Sequence, residues 1–295
     1  MNDPSDDSPK KHSNNFIGYI YDSMADTYED DTIFGPLFYR FLYVDFDQAI
    51  KTTFHRGNEG PILDVGCGTG HFTFMLAGEG HYVIGVDLSP RSLKKAKNQA
   101  KALGAKNVDL VLASAAYLPF ADELFEASLS IGSVINHLSK DNAELMISEI
   151  SRVLHPKGLL VVDVDNVTSP DLLNHFLNPC DEFYAVDLRD ILSSIFNGFK
   201  FGFHYLWTYK GNTVKLYMYT YSELRELLGR HRLVIEKTHA SNILTSVLTP
   251  SFRMCKNNDI AEAVVKILHK IDNFLGDAPL FNKCGDSLLV SCRKF

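Results

Sequence analysis

The chain predicts an α/β fold: a Rossmann-like, mostly parallel sheet with helices on both faces, a helical cover at the N-terminus and an inserted antiparallel aromatic hairpin. Three observations predict it. From Pro61 onward, short apolar runs alternate with amphipathic helical patterns, the signature of crossover-connected parallel strands. A glycine-rich turn, Gly66-Cys67-Gly68-Thr69-Gly70, joins the first run to the first helix. Between Phe199 and Tyr221, aromatic residues fall on every second position, the period of a strand.

Each element follows in order. Residues 16–58 are rich in aromatics and read as helices covering the core. Pro61–Val65 is a strand ending in the glycine turn, and His71–Ala77 is helical. Tyr82–Val86 is a second strand closed by Asp87; Ser89 then caps a helix with Pro90 at its first position, and Gly104 ends it. Val108–Ala113 and Phe125–Ile131 are further strands. A helix from Asp141 to Leu154 opens with Asp141 and Glu144 spaced as a capping box, Pro156 and Gly158 stop it, and Leu159–Val164 is a fifth strand. In the final third, Ser222 opens a short helix closed by Gly229, and Leu233–Thr238 is a strand. Asp259 begins a helix with an apolar stripe of Ile260, Val264, Ile267, Ile271 and Phe274, and Ser287–Cys292 is the last strand. No linker divides the chain. Residues 1–15 form a disordered polar tail and 16–295 a single domain, with a core at 59–164, an inserted cap at 165–221 and completing elements at 222–295.

Composition narrows the function. Apolar residues make up 45% of the 295, enough for a substantial core. The net charge of −7 and the absence of a dense Lys/Arg run disfavour nucleic acid as the main partner. Five scattered cysteines include no CxxC pair, so neither a metal site nor a disulfide framework is expected. With no 18-residue apolar run and no hydrophobic leader, no membrane span is expected and a cytoplasmic location follows by default.

The chemistry sits at the glycine turn. Glycines there let the backbone approach a ligand closely, and the helix beyond offers unpaired N–H groups. The spacing is GxGxG, whereas dinucleotide enzymes prefer GxGxxG. Asp87, 17 residues after Gly70 at the end of the second strand, can accept both ribose hydroxyls of an adenosine.

These residues, together with Tyr21-Asp22-Ser23-Met24-Ala25-Asp26-Thr27-Tyr28 ahead of the sheet, Leu118-Pro119-Phe120, Ser133–Leu138 and Arg152–Gly158, make the chain similar to the class I S-adenosylmethionine-dependent methyltransferases. Within that class it resembles most the small-molecule methylases of the menaquinone and glycine type. The resemblance implies that S-adenosyl-L-methionine is the cofactor. Gly66, Gly68 and Gly70, with Cys67 packed in the same turn, would line its methionine end, and Asp64 would lie beneath. Asp87 would hold the ribose, Leu88 would pack on adenine, and Ser114-Ala115 would flank the adenine edge. The stretch Ser130–Ser133, Ser130 and Ile131 above all, would run beside the methionine, and Tyr21 and Tyr28 would close the entrance. Ser114 stands where many members carry aspartate, and a neutral hydroxyl is a weaker acceptor.

Other readings stay open. Asp64 could contact the ligand or only brace the turn. His137, at the carboxyl edge of the fourth strand, could be a general base or a cap. Tyr205 and Trp207 on the aromatic strand could line an acceptor site, or the hairpin could bury its rings on the domain or a twin subunit, which leaves a homodimer open. The expected acceptor is a small molecule, apolar or aromatic, with a small amine as the competitor. An NAD-dependent oxidoreductase and a non-catalytic binding protein are the rival functions.

Overall fold

The computed structural model describes residues 14–54, 60–170, 184–186, 189, 192–193, 196, 198, 201–209, 212–248 and 258–295. The expected tail up to residue 13, Phe199 and the Lys210-Gly211 turn fall outside these residues.

The central sheet is built outward from β1 (Ile62–Val65). This strand lies between β2 (Val83–Asp87) and β4 (Phe125–Ser130), parallel to both. Covered on both faces, it is buried at every position, which is why its sequence is a continuous apolar run and not an alternation. β3 (Val108–Leu112) forms one edge beside β2. On the other side β4 pairs in parallel with β5 (Leu154–Asp165). β10 (Ser287–Lys294) is antiparallel to β5 and to β9 (Leu233–Ser241), completing the order β3-β2-β1-β4-β5-β10-β9.

Helices cover both faces. α1 (Asn14–Met24), the single turn α2 (Tyr28–Asp31) and α3 (Leu37–Thr53) form the N-terminal cover. α4 (His71–Gly78) and α5 (Pro90–Leu103) follow β1 and β2, and Ser89 caps α5 by accepting from Ser92 N. α6 (Lys140–Val153) precedes β5, α7 (Tyr221–Arg230) precedes β9 and α8 (Asp259–Gly276) precedes β10. One apolar cluster joins α6 and α7 to Leu160, Val162, Leu288 and Val290. A second joins α3 and α4 to Val161 and Leu289 on the opposite face.

Four expectations are corrected. Helix α6 is capped by Ser139, whose hydroxyl accepts from Asn142 N; Glu144 instead turns outward to Arg230 and His231. Pro156 and Gly158 do not delay the fifth strand, which begins at Leu154 and absorbs the Pro-Lys-Gly segment as an irregularity with Lys157 at φ +65°. Helix α7 opens one turn position earlier than Ser222, on a reciprocal capping box between Thr220 and Glu223 worth about 1 kcal/mol.

The fourth correction is the largest. The apolar stripe of α8 points outward, with Ile260 76%, Ile267 62% and Phe274 78% exposed, while Ala261, Val265, His269 and Asp272 are buried. Polar bonding chose the face. Asp272 accepts from Leu244 N, Thr245 N and the Thr245 hydroxyl, and His269 turns toward Asp45 of α3.

The aromatic segment forms β7 (Phe203–Tyr209) and β8 (Asn212–Met218), antiparallel as expected. A third strand not anticipated, β6 (Tyr184–Val186), pairs on the outer side of β7. Phe203 and Tyr205 pack with Ile20 and Met24 of α1, whereas Phe201 is exposed. The return strand divides its faces: Leu216 and Met218 join that same cluster, and Tyr217 joins the α6–α7 core.

Candidate functional site

The site forms where β1, β2 and β4 end. Gly66 and Gly68 both sit at positive φ, +79° and +55°. Gly66 N and Cys67 N donate to Val86 O at 2.7 and 3.0 Å, stitching the turn to β2. A Cβ on Gly66 would stand 2.5 Å from Val134, so only glycine closes this corner; one on Gly68 would meet no protein atom and would project into open space.

Asp87 completes the turn from the next strand. Its Oδ2 accepts from Gly68 N at 2.8 Å and its Oδ1 from Ser89 N at 2.7 Å. Burial pushes the carboxyl up, against the pull of these N–H donors. Each oxygen keeps a further lone-pair direction with which to accept a ligand hydroxyl.

A single cavity opens over these groups. It is lined by Tyr21, Tyr28, Gly66, Gly68, Asp87, Leu88, Ser114, Ala115, Ile131 and His137. The arrangement suits an adenosine: an acceptor pair for a ribose, an apolar ledge at Leu88 and a narrow slot beside Ser114-Ala115. Ser114 also accepts from Ala116 N at 3.3 Å, which fixes its hydroxyl in the slot.

Four of the candidate cofactor-site residues stand outside the cavity lining. Asp64 lies beneath the turn, where Thr73 Oγ1 donates to it at 2.5 Å and burial pushes its carboxyl up to about 7. Cys67 is buried against Gly85 and the β2 side. Gly70 precedes α4 with its free side toward the Phe74 ring. The Ser130 hydroxyl turns back to donate to Val65 O.

Sequence reasoning passed over several parts of the wall. Ile17, Gly18, Val134 and Leu138 line the same cavity. Asp22 accepts from the Ser89 hydroxyl and from Arg91 N, so α1 is tied to the start of α5 and closes over the ligand space. The tyrosine-rich segment containing Asp22 was visible, but nothing in its spacing identified the partner 67 residues away. Behind the β4 end, Asp163 accepts from Gly132 N and Ser133 N, and burial pushes its carboxyl up to about 7.

His137 and Tyr21 meet in the cavity wall, Nε2 to hydroxyl at 2.8 Å. Burial lowers the imidazole to about 4 and pushes the Tyr21 phenol well up, so both are neutral near pH 7. Trp207 stands edge-on to His137 with ring centroids 6.3 Å apart. The hairpin itself is not part of the cavity wall. Tyr205 donates its hydroxyl to Asp165 Oδ2 at 2.5 Å, and Asp165 also accepts from Ser133 Oγ at 2.6 Å. Of the two readings open for Tyr205 and Trp207, the packing against α1 and His137 favours the buried face over an acceptor wall.

Among the described residues no His/Cys/Asp/Glu group is arranged to hold a metal, and no helix is long and apolar enough to cross a membrane.

Residues 62–158 match the family model described as a methyltransferase domain. A demethylmenaquinone methyltransferase of Tropheryma whipplei is 39% identical over 101 residues, 34% of this chain and 40% of its own length. The O-methyltransferase cnsE of Penicillium expansum is 37% identical over 103 residues, 34% of this chain and 36% of its own. The matched stretch thus spans well under two thirds of either relative. The crystal structure of the PH0226 protein from Pyrococcus horikoshii aligns over 92% of this chain and 99% of that one, with a TM-score of 0.61 at 16% identity, a likeness of fold.

Proposed function

Taking residues 62–158 as a methyltransferase domain of the class I, S-adenosylmethionine-dependent kind, we propose that the chain transfers a methyl group from S-adenosyl-L-methionine to a small-molecule acceptor. The observation that carries this reading is the coupling of Gly68 to Asp87, in which one backbone N–H and one carboxylate shape the ligand turn together. The open space above Gly68 supports the fit, because the ligand approaches where a side chain would otherwise stand. S-adenosylmethionine supplies a methyl already activated on a sulfonium, so the protein's contribution is mainly proximity and alignment.

In this reading Asp87 holds the ribose, Leu88 and the Ser114-Ala115 slot hold adenine, and Gly66 and Gly68 bring the backbone against the methionine portion. Tyr21, Tyr28 and Ile131 enclose the end where the acceptor arrives, excluding water from the transfer. Of the two roles open to His137, base or cap, the burial that lowers it to about 4 disfavours the base. An imidazole held near 4 takes no proton from an ammonium or an ordinary phenol. It serves instead to fix the Tyr21 hydroxyl. With His137 held neutral by burial, the acceptor this reading favours is a nucleophile that needs no base from it, such as a neutral amine or an already ionised enol or quinol. The apolar wall of Ile17, Val134 and Leu138 favours a flat or apolar molecule of that kind.

The test is thermal unfolding of the full chain with S-adenosylhomocysteine or NAD, since a ligand stabilises what it binds. Stabilisation by the first and not the second supports the reading; the reverse pattern removes it and favours an oxidoreductase. Turnover to S-adenosylhomocysteine with candidate acceptors then separates an enzyme from a binding protein.

A further inference from the structure

Asp163, near the end of β5, is only 1% exposed, and the hydrogen bonds it accepts from described residues all come from one two-residue arc. Its Oδ1 accepts from Gly132 N at 2.9 Å and from Ser133 N at 3.0 Å. Its Oδ2 accepts from Ser133 N at 3.1 Å and from Ser133 Oγ at 3.3 Å. Among the described residues no cation is paired with it. An unpaired buried carboxylate is costly, and the one thing this one does in the fold is hold the arc.

The arc needs holding. Gly132 sits at φ +95° and Ser133 at φ +58°, and a non-glycine residue in that region persists only where its neighbours fix it. Ser133 also stands at the cap position of the short 3-10 turn Val134–His137. Ile131, Gly132, Val134 and His137 therefore move together, and all four line the ligand cavity, whereas Asp163 does not. On one side the arc meets the glycine turn, since a Cβ on Gly66 would stand 2.5 Å from Val134. On the other, a Cβ on Gly132 would stand 3.6 Å from the Tyr43 hydroxyl and 3.8 Å from that of Tyr28. In the sheet order β3-β2-β1-β4, adenosine at Asp87 and Ser114-Ala115 occupies the β3–β2 side. The rest of the ligand then extends across β1 to β4, against this arc.

We propose that Asp163 is a positioning residue for the methionine end of the cofactor: by gripping Gly132 and Ser133 it fixes the wall along which the homocysteine portion lies. The proposal rests on the methyl-transfer reading. The ionised carboxylate makes the stronger grip. Burial, helped by the nearby charge of Asp165, pushes the Asp163 carboxyl up to about 7, against the pull of the Ser133 and Gly132 donors. The grip is thus present above pH 7 and weakens as pH falls through it. Asp165, Tyr28 and Tyr43 are the other titratable groups facing Asp163; burial raises all three, and the two phenols stay neutral.

The test is calorimetry of the full chain with S-adenosylhomocysteine and with methylthioadenosine, which keeps the adenosine and sulfur but lacks the amino-acid tail. At pH 8, Asp163→Asn should weaken S-adenosylhomocysteine about tenfold and methylthioadenosine less than twofold. The ratio of the two affinities should fall several-fold from pH 8 to pH 6 in the wild type and stay level in the variant. Taking the ratio removes the titration of Asp87, which both ligands meet alike. Should Asp163→Asn not fold, Gly132→Ala, which strains the arc from its other end, should give the same selective loss, and the wild-type ratio remains the check on Asp163. Unchanged S-adenosylhomocysteine affinity in a folded Asp163→Asn, equal losses for the two ligands, or a wild-type ratio that does not move with pH would overturn the proposal alone. No binding of either ligand by the wild type would remove the methyl-transfer reading and this proposal with it.

Discussion

The parallel half of the sheet and the aromatic cap are held together by different balances of backbone and side-chain bonding. At β1–β2 the ligand turn is shaped by backbone: Gly66 and Cys67 bond to Val86 O, and Gly68 bonds to Asp87. The hairpin is attached largely by side chains, through the Tyr205–Asp165 bond and rings packed on α1, with a short backbone bridge where Tyr219 bonds to Asp165 and Val167. Backbone geometry constrains residue type tightly and tolerates almost no change. Side-chain attachment is a sum of replaceable contacts, so it fixes stability and enclosure more than ligand chemistry.

The sharpest way to break this contrast is at Gly66. Gly66→Ala would place a Cβ 2.5 Å from Val134 at a φ of +79°, costing about 1–3 kcal/mol in backbone strain alone. Cofactor affinity should fall a hundredfold or more by calorimetry, with the fold retained by circular dichroism. A variant that binds normally would show that the turn is not the ligand cradle.

Tyr205→Phe probes the other side. It removes one of the two side-chain donors to buried Asp165, which should cost about 1–3 kcal/mol of stability. Cofactor affinity should stay within threefold of the wild type, and turnover should fall as the enclosure loosens. If affinity collapses instead, the cap belongs to the binding site after all.

The pH profile gives an intermediate effect. A neutral His137 that is not the base contributes no acid limb of its own between pH 8 and about 5, its protonation setting in near 4. Any limb that Asp64 or Asp163, both raised to about 7, gives in that window therefore persists in His137→Ala. An acid limb near 6.5 that vanishes in His137→Ala would restore it as a general base.

The smallest effects belong to α8. Ile267→Lys on the outward face should change stability by less than about 0.5 kcal/mol. Val265→Ala, on the buried face, should cost roughly 1–3 kcal/mol. Equal costs would mean that something covers the outer stripe.

What was legible in the sequence follows the same division. The parallel strands, the Ser89 cap and the pairing of the glycine turn with Asp87 rest on local chemistry: an apolar run, a turn glycine, a carboxylate at a strand end. Tyr21 and Ser114, by contrast, were placed at the cavity only by the family resemblance. The face of α8 was not legible, because its orientation is set by Asp272 bonding to Leu244 and Thr245, contacts that periodicity cannot express. Likewise Glu144 looked like a capping residue, and only the fold shows Arg230 and His231 within its reach. The aromatic alternation identified the hairpin, yet which rings face a ligand depended on the position of α1 between them. Asp64 was undecided for a related reason, since Thr73 reaches it only once α4 packs beneath the turn.

The central claim is that Asp87 and the glycine turn hold the adenosine of S-adenosylmethionine. The most direct test is isothermal calorimetry of S-adenosylhomocysteine with the wild type and with Asp87→Ala, each checked for an intact fold. Loss of a charged acceptor should cost about 1.5–3 kcal/mol per bond, so the account predicts binding by the wild type and at least a tenfold loss in the variant. Equal affinity in two folded proteins would contradict it.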